Sequence, residues 1–226
     1  MDGILVVDKP QGMTSHDVVD FVRKRFGLKK VGHAGTLDPM ATGVLVILIG
    51  KYTKSSGQIM SRDKEYDATM VLGATSDTGD ALGKMTPQVP KSVRFTDQEI
   101  EAAFRKFLGD IEQVPPMYSA VKFKGRKLYE LARRGISVTL SPRKVIVKKL
   151  DIYKIALPEI SFRLTCSKGT YVRQLAADIG ESLGCGAYLS RLRRLASGDF
   201  AIGNALGFDE LKGLERSELE KRLVLL

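Results

Sequence analysis

The sequence predicts an α+β fold. Strand-like and helix-like stretches are mixed along the chain without regular alternation, which argues against a doubly wound sheet. No Gly-x-Gly-x-x-Gly follows a strand-like run, so a dinucleotide-binding fold has no support. With 226 residues, 43% of them hydrophobic, the chain can bury a sizeable core as one large domain or a domain with an elaborated arm.

The elements follow in order. Residues 3–7 read as a strand that ends in Asp8-Lys9-Pro10. Residues 15–26 read as a helix: Thr14 or Ser15 can cap it, Val19, Val22 and Phe26 share a face, and Gly27 stops it. The apolar run 44–49 looks like a buried strand, and 66–72 reads as another, followed by turn-rich 73–83. Thr96-Asp97-Gln98-Glu99 is a capping box. It opens a helix over 97–108 with Ile100, Ala103, Phe104, Phe107 and Leu108 on one stripe and Gly109 at its end. Strands return at 145–155 and 160–166. A helix at 171–183 places Val172, Leu175, Ala176, Ile179 and Leu183 on one face and leaves Arg173 off it. Arg191-Leu192-Arg193-Arg194 reads as a final basic patch.

Charge and composition narrow the function. A net charge of +10 points to an anionic partner, with nucleic acid first because a polyphosphate rewards dispersed Lys and Arg. An acidic membrane surface is second, but no apolar run approaches the roughly 20 residues that span a bilayer. The start lacks a signal peptide's basic region and long apolar stretch. The two cysteines, Cys166 and Cys185, form no framework, which fits a reducing cytoplasm. Two histidines and two cysteines show no metal-ligand spacing, and neither a zinc-deaminase signature nor a phosphate-binding P-loop occurs. The expectation is a chain with no metal and no cofactor, and a monomer.

Two segments carry chemistry. In Gly32-His33-Ala34-Gly35-Thr36-Leu37-Asp38-Pro39-Met40-Ala41-Thr42-Gly43, three glycines surround one carboxylate and Pro39 follows it directly. Glycine allows positive φ and close approach, and proline biases Asp38 toward an extended conformation. Such a loop can hold a carboxylate outward on a stiff backbone; the spacing alone fits a backbone-capping turn equally well. The segment 115–149 is different. Between Lys122 and Lys149, basic residues outnumber the single acid, Glu130, ten to one, with Tyr118, Phe123 and Tyr129 among or beside them. Basic charge with stacking rings is a nucleic-acid signature.

Together these residues resemble a known family. Gly32 to Pro39, with Ala41-Thr42-Gly43-Val44-Leu45, is similar to the signature of the TruB-type tRNA pseudouridine synthases. Asp8-Lys9-Pro10-Gln11-Gly12, Asp63-Lys64-Glu65-Tyr66, Ser167-Lys168-Gly169-Thr170-Tyr171-Val172-Arg173 and Arg191 to Arg194 match in the expected order. The resemblance runs from about residue 3 to about residue 211 and reduces the turn-only reading of Asp38 to a minor one. It implies a mixed, largely antiparallel central sheet flanked by helices, with a basic RNA-gripping insertion at about 115–149. It also implies isomerisation of uridine 55 in the tRNA T loop to pseudouridine, without cofactor or metal.

By resemblance, Asp38 is the catalytic aspartate, Tyr66 stacks on the target uracil and is a candidate for handling the C5 proton, and Arg173 pairs with Asp38. Leu192 packs against the base, and His33 fills the space that the flipped nucleotide leaves. Lys9 and Lys64 take supporting roles. Tyr171 and the arm residues Lys122, Arg126 and Lys127 are expected to contact RNA. Bacterial members usually carry a C-terminal PUA domain. The residues after 211 leave no room for one, so a single catalytic domain over 1–226 is expected, with T-loop chemistry kept and affinity for whole tRNA reduced.

The chemistry has its own logic. Aspartate is anionic at neutral pH. It can attack C1′, stabilise an oxocarbenium-like centre, or remove the 2′ proton to give a glycal. Hydrolytic glycosidases use a second carboxylate to activate water; here the released uracil is itself the next nucleophile, so one can suffice. The target must leave its stack, so base flipping is expected. Two other readings remain at this point: a module that binds and remodels tRNA without catalysis, and a hydrolase that releases free uracil.

Overall fold

The computed structural model describes residues 1–88 and 94–225. In chain order the elements are β1 (Gly3–Lys9), α1 (Ser15–Arg25), β2 (Val31–His33), β3 (Thr42–Ile49), α2 (Ser56–Met60), β4 (Lys64–Leu72), β5 (Ala74–Ser76), β6 (Met85–Pro87), α3 (Asp97–Arg105) and β7 (Gly109–Gln113). They continue with β8 (Lys122–Phe123), β9 (Arg126–Lys127), α4 (Leu128–Ala132), β10 (Arg143–Ala156), β11 (Glu159–Cys166), α5 (Val172–Ser182), β12 (Ala187–Ser197), β13 (Phe200–Ala201), β14 (Leu206–Gly207), α6 (Phe208–Gly213) and α7 (Arg216–Lys221). This is the α+β class expected, and its pairings are mostly antiparallel. Among the pairings described, β1 with β14 and β12 with β3 are parallel.

The chain forms two compact units, Met1–Asp67 with Leu192–Leu226, and Ala68–Arg191. In the first, the strand order is β14-β1-β3-β12, with β2 on β3 and β13 on β12. Both faces of β3 are buried, which is why its sequence is a continuous apolar run rather than an alternation. Val44, Val46 and Leu48 join Ile4, Val6, Ala34 and Ile59 in one cluster. Thr14 is the N-cap of α1: its Oγ1 accepts from the Asp17 amide at 3.1 Å and its own amide donates to Asp17 Oδ2 at 2.7 Å. That closes a capping box and leaves the hydroxyl of Ser15 for another task.

In the second unit the order is β4-β11-β10-β7. The capping box of α3 forms at Thr96 and Glu99, and Phe104 meets Phe162 of β11 edge to face at 5.4 Å. The helix stops at Arg105 instead of continuing to residue 108. Phe107 and Leu108 donate to Phe104 and Arg105, three residues back, so the last turn tightens and Gly109, at φ +94°, redirects the chain into β7. The segment 115–149 divides in two. Residues 122–132 form the hairpin β8–β9 and α4, with Lys124 and Gly125 both at positive φ in its two-residue turn. That is the backbone requirement of a tight hairpin turn. Residues from Arg143 onward pair with β7 as a strand.

Candidate active site

The loop between β2 and β3 alternates anchors and exposure. Leu37, Met40 and Ala41 are buried, Asp38 is half-buried and Pro39 is exposed. The apolar side chains hold the loop while the carboxylate stays partly open. Its backbone is pinned by contacts from distant parts of the chain. Ser15 Oγ accepts from the Leu37 amide at 2.8 Å and donates to the Leu37 carbonyl at 3.2 Å. The Gly12 amide donates to Pro39 O at 2.8 Å, and the Ala41 amide to Asp38 O at 3.1 Å. Arg194 donates to Gly35 O at 3.0 Å, Thr36 O at 3.3 Å and Val44 O at 2.7 Å. Buried backbone groups must be paired, and here the pairing also fixes where Asp38 stands.

Lys9 lies at the base of this loop. It is fully buried, and its ammonium donates to Met13 O at 2.7 Å, Pro10 O at 2.9 Å and, at the limit of hydrogen-bond distance, Pro39 O at 3.5 Å. Burial is the main cause that lowers its pKa to about 8; the Asp38 carboxylate opposes the shift and Arg194 adds to it. His33 ends β2. Its Nδ1 is buried without a hydrogen-bond partner. Burial, and after it the Arg194 charge, lowers its pKa and favours the neutral ring. Lys64 and Tyr66 are both buried and stand two residues apart on β4, hence on the same face of that strand. Lys64 donates to Met60 O at 2.6 Å and Arg62 O at 2.5 Å.

The run Arg191 to Arg194 is not a surface patch. Strand geometry turns alternate side chains to opposite faces. Leu192 and Arg194 are buried, Arg193 is half-buried and only Arg191 is exposed. A row of like charges in sequence does not reveal that division. Arg193 binds Asp8 through two contacts, Nη1 to Oδ1 at 3.1 Å and Nη2 to Oδ2 at 2.6 Å. An open cavity of about 400 Å³ in this unit is lined by Asp8, Lys9, Thr42 and Arg193 with residues around Phe208, and not by Asp38.

In the other unit, Arg173 lies in the first turn of α5 and is buried, although it stands off the apolar stripe read from the sequence. Its guanidinium donates to Thr78 O and to Tyr118 O (2.9 Å), and its Nε lies 3.8 Å from Asp80 Oδ2. Asp80 is buried too, and it accepts from Thr78 Oγ1 at 2.7 Å and the Leu82 amide at 3.1 Å. Tyr171 is the N-cap of α5, its backbone held at both groups by the Gln113 side chain. Lys122, Arg126 and Lys127 are exposed on β8 and β9. Lys127 and Arg133 lie over the ring of Tyr129, each 5.5 Å from its centre.

Sequence reading missed Ser15, Arg194 and Asp80 as parts of these arrangements. The available signals were a second hydroxyl beside a helix cap, a charge in phase with a buried strand face, and an acid after a turn glycine. Among the described residues, no group of three or more His, Cys, Asp or Glu is placed to hold a metal ion, and no helix is long and apolar enough to cross a membrane.

Comparison with known proteins agrees along the chain. The tRNA pseudouridine synthase B of Dechloromonas aromatica is 45% identical over 99% of this chain and 74% of its own length. The tRNA pseudouridine synthase B of Opitutus terrae is 49% identical over 99% of this chain and 92% of its own length. A chain in the crystal structure of a Cbf5-Nop10-Gar1 complex superposes with a TM-score of 0.75 at 30% identity, over 98% of this chain and 59% of that one. A chain in an H/ACA RNP bound to a substrate RNA containing 2'-deoxyuridine superposes at 0.70 with 29% identity, over 98% and 56%. The present chain thus spans less than two thirds of those solved chains. Residues 23–172 match the N-terminal domain of the TruB family pseudouridylate synthases, and residues 173–224 match the tRNA pseudouridylate synthase B C-terminal domain. With its Asp38 loop in the first of these matched regions, the chain belongs to the TruB family of pseudouridylate synthases.

Proposed function

We propose that this chain, acting as a monomer, isomerises uridine 55 in the T loop of tRNA to pseudouridine. The observation that carries the reading is the half-buried Asp38 carboxylate on a backbone pinned by Ser15, Gly12 and Arg194. A carboxylate on a rigid loop is suited to meet a sugar carbon repeatedly in one geometry. Family membership and the +10 charge supply the substrate class.

The uridine leaves its stack and enters beside Asp38. Tyr66 stacks on the uracil, and Leu192 packs against it. Asp38 starts the reaction by attacking C1′ or by taking the 2′ proton. The N1–C1′ bond breaks with its electron pair on uracil, the ring turns, and C5 forms the new bond to C1′ as the Asp38–C1′ bond breaks or, on the second route, as Asp38 returns the proton to C2′. The C5 proton then leaves, with Tyr66 as the acceptor candidate, and N1 is protonated, so no atom is lost or gained. His33, neutral near pH 7, fills the gap left in the T loop. Lys9 and Lys64 support the surrounding backbone. Tyr171 and the hairpin residues Lys122, Arg126 and Lys127 hold the RNA.

The test is Asp38→Asn with a T-loop transcript, scored by carbodiimide mapping and by binding. Pseudouridine formation is expected to fall by at least about a thousandfold, with the RNA Kd changed by less than about threefold. Continued conversion would refute the assignment, and free uracil among the products would indicate a hydrolase.

A further inference from the structure

We infer that Arg194 is a positioning residue for the reaction: it sets the place of the Asp38 carboxylate without touching the substrate. The inference rests on the proposed role of Asp38. Arg194 is 1% exposed, and arginine stays protonated at any physiological pH. A buried charge is costly unless it is compensated. All three of its hydrogen-bond acceptors are backbone carbonyls, and all belong to the segment that carries Asp38. Gly35 and Thr36 stand just before Asp38, and Val44 begins the buried run of β3 after it. One planar fork therefore ties the entry and the exit of the loop to β12. Lysine offers a point charge on a flexible stem and cannot reproduce that span.

The backbone of the same residue adds a second grip. Arg194 pairs with Gly43 across the parallel strands β12 and β3. Gly43 has φ +100°, and a Cβ there would collide with the Arg194 carbonyl oxygen and lie 2.8 Å from its amide nitrogen. The loop is thus closed against Arg194 by main chain and side chain together. A hydrophobic residue would fill the space in β12 but would leave Gly35 O, Thr36 O and Val44 O without these donors.

The test compares Arg194→Met and Arg194→Lys with the unaltered chain. It reads the single-turnover rate on a T-loop transcript, the Kd for that RNA, and amide hydrogen exchange. Arg194→Met is expected to lower the rate about 10–100-fold, change Kd by less than about threefold, and speed exchange at Leu37 and Ala41 while β10 and β11 stay protected. Arg194→Lys is expected to recover part of the rate. An unchanged rate, or a loss confined to Kd, would overturn the inference. If Arg194→Met does not fold, Arg194→Lys decides by the same criteria; if neither folds, Arg194 is a determinant of the fold and the inference fails. Absence of pseudouridine with the unaltered chain would instead sink the proposed function, and exchange at Leu37 and Ala41 would still report whether Arg194 holds the loop.

Discussion

Gly43 and Arg194 lie opposite each other in parallel strands, and their backbones approach so closely that no side chain fits at position 43. The Asp38 loop closes at this junction. Gly12 also has a positive φ, +88°, but open space around its Cβ direction. The two glycines therefore separate backbone strain from collision. Gly12→Ala should cost about 1–2 kcal/mol, the penalty of a left-handed backbone alone. Gly43→Ala adds overpacking against the main chain and should cost about 3 kcal/mol or more. Urea unfolding of both variants measures the difference, and equal costs would contradict the crowded junction.

Ser15 and Thr14 are adjacent hydroxyls with separate roles. Ser15→Ala leaves the buried amide of Leu37 unpaired and should destabilise by about 1–3 kcal/mol, with a loss of turnover because the loop is freed. Thr14→Ala removes a helix cap and should cost about 1 kcal/mol with turnover kept. Thermal unfolding and single-turnover assays on each variant check this. Equal effects on turnover would argue against the division of labour.

Asp8 and Arg193 form a two-point ion pair with side chains about one-third exposed, 30% and 32%. Solvent screening limits such a pair, and a double-mutant cycle should give a coupling of no more than about 1 kcal/mol. The coupling should shrink as salt rises. A value of several kcal/mol would place this pair in a drier setting than its exposure indicates.

Lys9 gives the stability a defined pH dependence. Its amine holds a proton up to about pH 10.5 in the unfolded chain but only to about 8 in the fold. Between these values the unfolded state binds more protons, so stability rises with pH across that window. Below pH 8 both states are charged and Lys9 contributes no slope. Unfolding free energies measured from pH 8 to 10.5 should climb in the unaltered chain and lose that part of the climb in Lys9→Met. Identical slopes would show that Lys9 is not the group responsible.

The hairpin β8–β9 and α4 carry exposed cations around Tyr129. Replacing Lys122, Arg126 and Lys127 together by alanine should lower the salt slope of RNA binding by about 2–3, close to one for each phosphate that is no longer neutralised. Amides in 122–134 should gain hydrogen-exchange protection when RNA binds. An unchanged salt slope together with unchanged exchange would remove this segment from the RNA interface.

Sequence alone determined the local features of this protein. The capping boxes at Thr14 and Thr96 are set by residues three apart, the apolar run of β3 announces a strand buried on both faces, and the glycines around Asp38 mark a stiff loop. Each depends on neighbours along the chain, where spacing and stereochemistry suffice. Tertiary structure decided which polar groups are buried and what they hold. Ser15 reaches Leu37 across 22 residues, and Arg194 reaches Gly35 across 159. Arg173 meets Tyr118 across 55. Such contacts depend on strand pairing between distant segments, which turns one side chain of a charged run inward and its neighbour outward. The glycine-flanked Asp38 was therefore visible in one short stretch, whereas the contacts that hold its loop required the folded sheet.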